Sequence, residues 1–229
     1  RAGELLDISW DEADGIKQRA VLRGLARRQV RDLEYVCVDE KAVGRGHDYL
    51  TVVTGLMDGK PQVLYAGDGR GEEGLNGFWK WLGPEACARI KAVSMDMSQA
   101  YQNSVCRYCP NAELIFDPFH LMKMLNRAVD EVRQREAVMG TKTERSTLKK
   151  TRQMWLWGEE NLPERHAARF EELKDSTLKT ARAWRIKELW RTVKQCLDVD
   201  DAHAFFHKWY VLAMQSKLEP VKKVARAFK

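Results

Sequence analysis

Two aspartates follow short apolar runs in the first half of this 229-residue chain. The run 33–38 leads into Asp39, and the run 90–95 leads into Asp96. A β-rich apolar run that ends in a carboxylate places that carboxylate at the rim of a sheet, and two such rims can converge on one metal ion. Paired carboxylates of this kind can hold magnesium together with a phosphate group.

The chemistry that suits this pair is cleavage of a phosphodiester. That reaction needs an activated water or hydroxyl and a stabilised leaving oxyanion, and two divalent ions about 4 Å apart supply both. Carboxylates suit magnesium because it is a hard cation that prefers oxygen ligands. Glu40 follows Asp39 but points to the opposite side of an extended chain, so both cannot face one metal. Strand-end aspartates also cap helices and form turns, and this alternative stays open for Asp39 and Asp96.

Three other residues could add to such a site. Glu131 lies 35 residues after Asp96, a separation seen in integrase-like enzymes, but its polar surroundings favour a solvated helix carboxylate. Asp117 and His120 follow a predicted strand and could shape the site. Alternatively Asp117 caps the helix that starts at Pro118, which is the interpretation we favour.

The cysteines predict no metal site. Cys106 and Cys109 form one C-x-x-C pair, and the chain offers no second pair at the spacing that a structural zinc needs. We therefore interpret them as ordinary thiols. The total of five cysteines, an odd number at irregular spacing, suits a reducing cytosol.

Hydrophobic patterning predicts the sheet that must position the two aspartates. Strands are expected at 33–39, 49–57, 62–66, 90–95 and 113–116. Asp58-Gly59 makes a hairpin turn, Gly44, Gly46 and His47 belong to the connection between the first two strands, and helices are expected over about 98–108 and 118–139. A hairpin meander followed by alternating helices and strands indicates a mixed α/β fold, a mixed sheet with helices against it.

Both ends of the chain are predicted to be helical. Ser9 and Glu12 fit a capping box, so a helix should begin near Trp10. Its polar side carries the cations Lys17, Arg19, Arg23, Arg27 and Arg28. This helix is either the second helix of a DNA-binding helix-turn-helix or a plain amphipathic linker. Beyond Gly140 we predict only charged amphipathic helices, whose five tryptophans belong to a core.

Charge is divided unevenly along the chain, whose net value is +6. Residues 1–117 carry 15 basic and 18 acidic residues, and residues 118–229 carry 24 and 15. A basic half beside an acidic half suggests a polyanionic partner near a metal centre, unless the cations are solvated helix faces. No apolar stretch approaches the ~20 residues of a membrane span, and no secretory signal is visible.

Several ordered blocks of the sequence resemble one known family. The resemblance is carried by the blocks 38–41 with 46–47, 93–101, 110–133, 160–162, 178–183 and 218–225. Among them are Val38-Asp39-Glu40-Lys41, Met95-Asp96-Met97-Ser98 and Phe116-Asp117-Pro118-Phe119-His120. Together with the helix at 8–28 they cover nearly the whole chain. By these blocks the chain is similar to the ISL-three group of bacterial insertion-sequence DDE transposases.

The resemblance implies a ribonuclease-H-like mixed sheet with flanking helices, plus an all-helical insertion subdomain. The corresponding domains would be 1–31, the tail of a helix-turn-helix module; 32–139, an incomplete catalytic core; and 140–229, the insertion. Asp39 and Asp96 match the family's first two catalytic, metal-binding aspartates. The family's third acid is a glutamate on a helix after the insertion, which argues against Glu131 and would place that acid beyond Lys229.

The resemblance also implies cofactors and partners. Two Mg²⁺ ions, for which Mn²⁺ can substitute, would serve cleavage and strand transfer. Double-stranded DNA, as element ends and target, would be bound by a homo-oligomer in the bacterial cytoplasm, associated with the nucleoid and not with a membrane. Because the chain begins with Arg1 and holds two of three acids, we expect a fragment that is inactive alone. The alternatives are a catalytically inactive DNA-binding remnant and, last, a host ribonuclease-H-like nuclease.

Overall fold

The computed structural model describes residues 7–28, 30, 32–44 and 48–229. Gly46 and His47 of the predicted connection, and both ends of the predicted 1–31 segment, lie outside these residues. The chain forms two compact units, residues 1–115 and 116–229. We describe each unit by itself, and the predicted division at 31 and 139 stays a prediction.

The first unit contains the whole sheet except its last residue. Its elements are α1 (Trp10–Arg27), β1 (Tyr35–Ala42), β2 (Tyr49–Met57), β3 (Lys60–Asp68), α2 (Glu72–Leu82), α3 (Pro84–Cys87), β4 (Ala92–Met95), α4 (Gln99–Tyr108) and β5 (Glu113–Phe116). The five strands lie in the order β3-β2-β1-β4-β5. β1 is antiparallel to β2 and parallel to β4, and β2 is antiparallel to β3, so the sheet is mixed as predicted.

The local signals in the sequence explain where several elements start. The Ser9–Glu12 capping box is present and begins α1 at Trp10. Asp58 and Gly59 have φ of 51° and 71°, and residues with positive φ make the tight turn of the hairpin between β2 and β3. Both predictions are confirmed.

Three strands differ from their predicted bounds, and β3, predicted at 62–66, spans Lys60–Asp68. β1 continues three residues past Asp39 because its ladder with β2 extends to the pair Ala42 and Tyr49. β4 starts at Ala92 although the apolar run starts at Ile90, which is buried without belonging to the strand. The apolar pattern of the sequence indicates which residues are buried, whereas hydrogen-bond pairing with a neighbouring strand decides where a strand ends.

One face of the sheet is covered by α2 and α4. Val36 and Val38 of β1 and Val93 and Met95 of β4 are buried, and alternate residues along these strands are more exposed. The two helices are joined by a buried hydrogen bond from Trp79 Nε1 to Ser104 Oγ at 3.0 Å. Gly74 permits the close approach of α2, since a Cβ there would lie 2.6 Å from Thr51 Oγ1.

The second unit is helical throughout its described residues. Its helices are α5 (Pro118–Met139), α6 (Lys142–Leu148), α7 (Arg152–Leu156), α8 (Glu164–Lys174), α9 (Lys179–Arg191), α10 (Val199–Gln215) and α11 (Glu219–Phe228). Short 3₁₀ turns occupy residues 159–161 and 192–195, the first between α7 and α8 and the second between α9 and α10. The prediction that no strand follows Gly140 is confirmed.

Aromatic side chains fill the core of the second unit. Trp155, Trp184 and Trp209 are buried, and Trp190 is partly buried with its ring centroid 4.7 Å from that of Trp209. The prediction that the tryptophans after Gly140 are core residues is confirmed for these four, whereas Trp157 is half-buried and stacks on His166 at a centroid distance of 5.6 Å. None of the described helices combines the length and the apolar character needed to cross a membrane.

Candidate active site

The register of the sheet brings Asp39 and Asp96 to neighbouring positions. β1 and β4 pair in parallel, with Cys37 opposite Ser94. Each aspartate lies two residues further along its own strand direction, so the pair occupies equivalent register positions. Residues two apart in a strand share a face and adjacent strands lie about 4.8 Å apart, so this register predicts that both side chains lie on one face, with Asp96 in the residue that directly follows β4. This is the face opposite Val38 and Met95.

Local hydrogen bonds orient both carboxylates. Asp39 Oδ1 accepts a hydrogen bond from the Glu40 backbone N–H at 2.8 Å, and Asp96 Oδ1 accepts one from the Ser98 N–H at 3.0 Å. The second bond forms the turn that leads from β4 into α4. Oδ2 of each aspartate takes no part in these bonds. Asp39 is exposed and Asp96 half-buried, so solvent reaches the pair.

The two carboxylates fit a magnesium site that is completed by a substrate. Mg²⁺ is commonly held by one or two protein carboxylates together with waters and substrate phosphates. In the described part of the chain, no group of three His, Cys, Asp or Glu side chains is arranged to hold a metal. Asp39 and Asp96 would therefore share the ion with oxygens from outside these residues.

A buried hydrogen-bond chain lies behind the end of β1. Tyr101 of α4, whose side chain is inaccessible to solvent, donates from its hydroxyl to Glu40 Oε1 at 2.9 Å. Thr51 of β2, the cross-strand partner of Glu40, places its hydroxyl oxygen 3.1 Å from that of Tyr101 and donates to the Gly69 carbonyl. As predicted, Glu40 points away from Asp39, and its partner is α4.

The Tyr101 hydroxyl stays protonated over a wide pH range. Burial raises the pKa of Tyr101 to about 12, the contact with the Thr51 hydroxyl opposes this rise, and the Glu40 carboxylate adds to it. Sequence reasoning missed Tyr101. The available signal was a tyrosine at helical spacing with Val105 on an apolar face, since a buried tyrosine hydroxyl needs a partner.

The remaining candidates have other roles in the described residues. Asp117 caps α5 by accepting from the Phe119 N–H at 2.8 Å, which confirms the favoured interpretation, and His120 Nδ1 lies 2.9 Å from Asp117 Oδ2. Both residues belong to the second unit. Glu131 is exposed and pairs with Arg135.

The C-x-x-C cysteines do not act as a pair. Cys106 is exposed, whereas Cys109 is buried and its thiol contacts that of Cys87. Burial raises the pKa of Cys109, and the Cys87 thiol adds to the rise. Thiols whose pKa is raised are poor metal ligands and poor nucleophiles, which agrees with their interpretation as ordinary thiols.

The cations of α1 fall into two groups. Lys17 pairs with Asp14, and Arg28 donates to the backbone carbonyls of Val63 and Leu64 on the edge strand β3. Arg19, Arg23 and Arg27 are exposed and four residues apart, so they form one row along the helix. No side chain of α1 is buried among its described residues.

Comparison with known proteins identifies the class. A family described as transposase, the ISL-three group of DDE transposases, matches residues 36–229. The chain belongs to this family, which confirms the resemblance seen in the sequence.

Two relatives illustrate the relationship. The chain is 30% identical over 230 residues to the transposase for insertion sequence element IS1001 of Bordetella parapertussis, covering 97% of this chain and 55% of that protein. It is 33% identical over 134 residues to the transposase for insertion sequence element IS1557 of Mycobacterium tuberculosis, covering 58% of this chain and 30% of that protein. The chain thus spans about half or less of the length of these relatives. No solved structure matches it.

Proposed function

We propose that this chain is part of a DDE transposase that cleaves DNA at the ends of an insertion sequence and joins them to a target. Asp39 and Asp96 bind two Mg²⁺ ions, for which Mn²⁺ can substitute. The observation that carries this proposal is the parallel register of β1 and β4, in which Cys37 lies opposite Ser94, two residues before each aspartate. The strand order, with β1 central, supports a ribonuclease-H-like core, and the all-helical second unit supports an insertion subdomain.

The residues of the chain have distinct tasks in this reaction. Asp39 and Asp96 supply negative oxygens, and backbone N–H groups hold Oδ1 of each while Oδ2 is left for the cation. Tyr101 fixes the end of β1 through Glu40. When bound, the ions supply an activated water for nicking and stabilise the leaving oxyanion. The 3′ hydroxyl freed by nicking would then attack a phosphorus of the target DNA, and the new P–O bond would form as the bond to the target's own 3′ oxygen breaks.

DNA binding is supported by the distribution of positive charge. The segment 118–229 carries 24 basic and 15 acidic residues, and α1 presents the row Arg19, Arg23 and Arg27. We propose that these surfaces contact phosphates, with Lys17 and Arg28 at the borders of the α1 surface. Such contacts give salt-dependent affinity that is mostly independent of sequence. We further propose that the protein acts as a homo-oligomer on paired DNA ends, in the bacterial cytoplasm and associated with the nucleoid.

The metal site is tested by carboxylate-to-amide substitutions. Asp39→Asn and Asp96→Asn should each lower the Mn²⁺ affinity of the chain by about tenfold or more. Even the replacement of a residue that only orients a metal ligand lowers metal affinity by that factor. Asp58→Asn is the matched control, because asparagine tolerates the positive φ of the hairpin turn. Affinity is measured by titration calorimetry. In the longer transposase the same two variants should abolish Mg²⁺-dependent nicking and keep DNA binding; retained nicking would refute the assignment.

An inactive DNA-binding remnant is the second candidate function. It is favoured by one observation: the described residues bring together two carboxylates, not three ligand-type side chains. A protein that retards DNA in a gel but shows neither Mn²⁺ binding nor nicking would be such a remnant. Mn²⁺ binding that depends on Asp39 and Asp96 would favour the enzyme.

A further inference from the structure

A groove of about 390 Å³ runs along one face of α5 and is closed on one side by α7. We name it the α5–α7 groove, and the lining residues that matter here are Phe119, Met122, Lys123, Asn126, Arg127 and Arg152. Its volume lies within the range of small-molecule sites. All of these residues belong to the second unit.

The groove offers an exposed aromatic ring. Phe119 is 71% exposed, and its first-turn position on α5 is fixed by the Asp117 cap. The ring is edge-to-face with His120 at a centroid distance of 5.9 Å. Large exposed aromatic side chains in grooves are platforms on which bases stack, because every base has a π face.

A buried amide oxygen lies about two turns further along the same face of α5. Asn126 Oδ1 is shielded from solvent and has no hydrogen-bond partner among the described residues. Buried polar groups normally have partners, so an unpaired one in a groove points to a ligand that carries donors. Asparagine amides pair with the donor and acceptor groups on base edges.

The rim of the groove is positively charged. Arg152 bonds through Nε to Asp130 Oδ2 at 3.0 Å, while its side chain stays 57% exposed. Burial alone would raise the pKa of Asp130, but hydrogen bonds from Arg133, Arg152 and Gln134 outweigh burial and lower it. Asp130 thus stays charged and orients Arg152 at the groove.

Two further cations extend this rim. Lys123 and Arg127 are exposed and one helical turn apart on α5. The acidic neighbours are already engaged, Asp130 as described and Glu131 with Arg135. The rim is therefore complementary to phosphate groups.

We propose that the α5–α7 groove binds a nucleotide that is unstacked from a DNA strand. The base stacks on Phe119, its edge pairs with Asn126, and the flanking phosphates meet Lys123, Arg127 and Arg152. This inference rests on the proposed action on DNA and adds a preference for single-stranded or unpaired nucleotides, which duplex backbone contacts alone do not give.

The test compares two DNA probes on the full 229-residue chain. Fluorescence anisotropy measures the affinity for a labelled (dA)12 strand and for a 12-base-pair duplex. Phe119→Ala should weaken binding of the single strand by about tenfold, in line with the loss of one base–aromatic stack. Asn126→Ala should also weaken binding of the single strand. Duplex affinity should be nearly unchanged in both variants, since phosphate contacts remain.

Val138→Ala is the matched control, because Val138 is 72% exposed on the same helix and lies outside the groove. It should leave both affinities as they are. Phe119 and Val138 are exposed and Asn126 is partly buried, and circular dichroism verifies that each variant keeps its fold. If Phe119→Ala changes neither affinity, or weakens both probes equally, the nucleotide site is refuted while DNA binding stands. If the wild-type chain binds neither probe, both this inference and the proposed function fail.

Discussion

At the scale of single residues, the candidate site depends on how the end of β1 is held. Asp39 is exposed and makes its hydrogen bond to the neighbouring backbone, so its own side chain contributes little to its position. The adjacent Glu40 is tied to Tyr101, which belongs to the helix that begins three residues after Asp96. One hydroxyl therefore links the strand of the first aspartate to the helix that follows the second.

Tyr101→Phe tests this link. The substitution leaves the half-buried Glu40 carboxylate without its donor, and we expect a loss of about 1–2 kcal/mol of unfolding free energy at pH 7. Urea unfolding followed by circular dichroism measures it. Tyr35→Phe, at a residue that is 47% exposed, is the control and should cost far less. Equal losses in the two variants would contradict a special role for Tyr101.

The same variant has a distinct pH dependence. The ordinary tyrosine pKa is 10.0, and the folded value for Tyr101 is about 12. The folded state thus keeps a proton that the unfolded state loses, so this stabilisation is complete below pH 10 and disappears as the pH rises towards 12. The decline should be steeper in the wild type than in Tyr101→Phe, by about 2–3 kcal/mol in total. Parallel declines would show that Tyr101 titrates normally.

Only some residues of the candidate site can be predicted from the sequence. Asp39 and Asp96 follow apolar runs, and that local pattern suffices to propose them. Tyr101 and Thr51 act through contacts between residues 50 positions apart, which no local pattern contains. The side-by-side placement of the aspartates likewise depends on strand order and register, which the apolar runs do not specify.

At the scale of elements, the sequence pattern predicts that a helix or strand exists more accurately than it predicts where that element begins and ends. The hairpin turn at Asp58 and the capped start of α1 follow from short-range chemistry and appear where expected. The end of β1 does not follow from short-range chemistry, because its pairing with β2 continues past Asp39. The helical bounds of α5 were predictable since Asp117-Pro118 caps its start and Gly140 follows its end.

The α1 helix is the element for which DNA binding is most directly testable. Arg19→Ala/Arg23→Ala/Arg27→Ala removes the exposed row without touching a buried side chain. If the three arginines contact phosphates, the slope of log affinity against log salt should decrease in magnitude by about 3. Gel retardation or anisotropy with duplex DNA over a range of salt concentrations measures this slope.

A charge-matched control separates specific contacts from net charge. Lys60→Ala/Lys80→Ala/Arg89→Ala removes three exposed cations elsewhere in the first unit. Its salt slope should stay close to that of the wild type. If the salt slope decreases by the same amount in both triple variants, the α1 row has no role beyond its contribution to overall charge.

At the scale of the whole molecule, two units with separate cores share one chain. Five of the eight tryptophans, and all of the largest aromatic cluster, lie in the second unit. Tryptophan fluorescence therefore reports mainly on the second unit, whereas the mixed sheet of the first unit contributes the strand signal in circular dichroism. The two probes can be followed in one unfolding experiment.

Glu136 provides a substitution aimed at the second unit alone. Its buried carboxylate, on α5, accepts hydrogen bonds from the backbone N–H groups of Lys179 and Thr180 at 2.7 and 2.8 Å, and from the Thr180 hydroxyl at 2.6 Å. It thereby caps the start of α9, where a helix has unpaired donors. Glu136→Ala leaves those buried donors unpaired and should cost about 2–3 kcal/mol.

The expected signature is a lowered midpoint of urea unfolding when tryptophan fluorescence is followed. Glu85→Gln, at an exposed carboxylate in the first turn of α3, is the control and should leave that midpoint unchanged. An unchanged fluorescence midpoint in Glu136→Ala would mean that the cap contributes nothing to the second core.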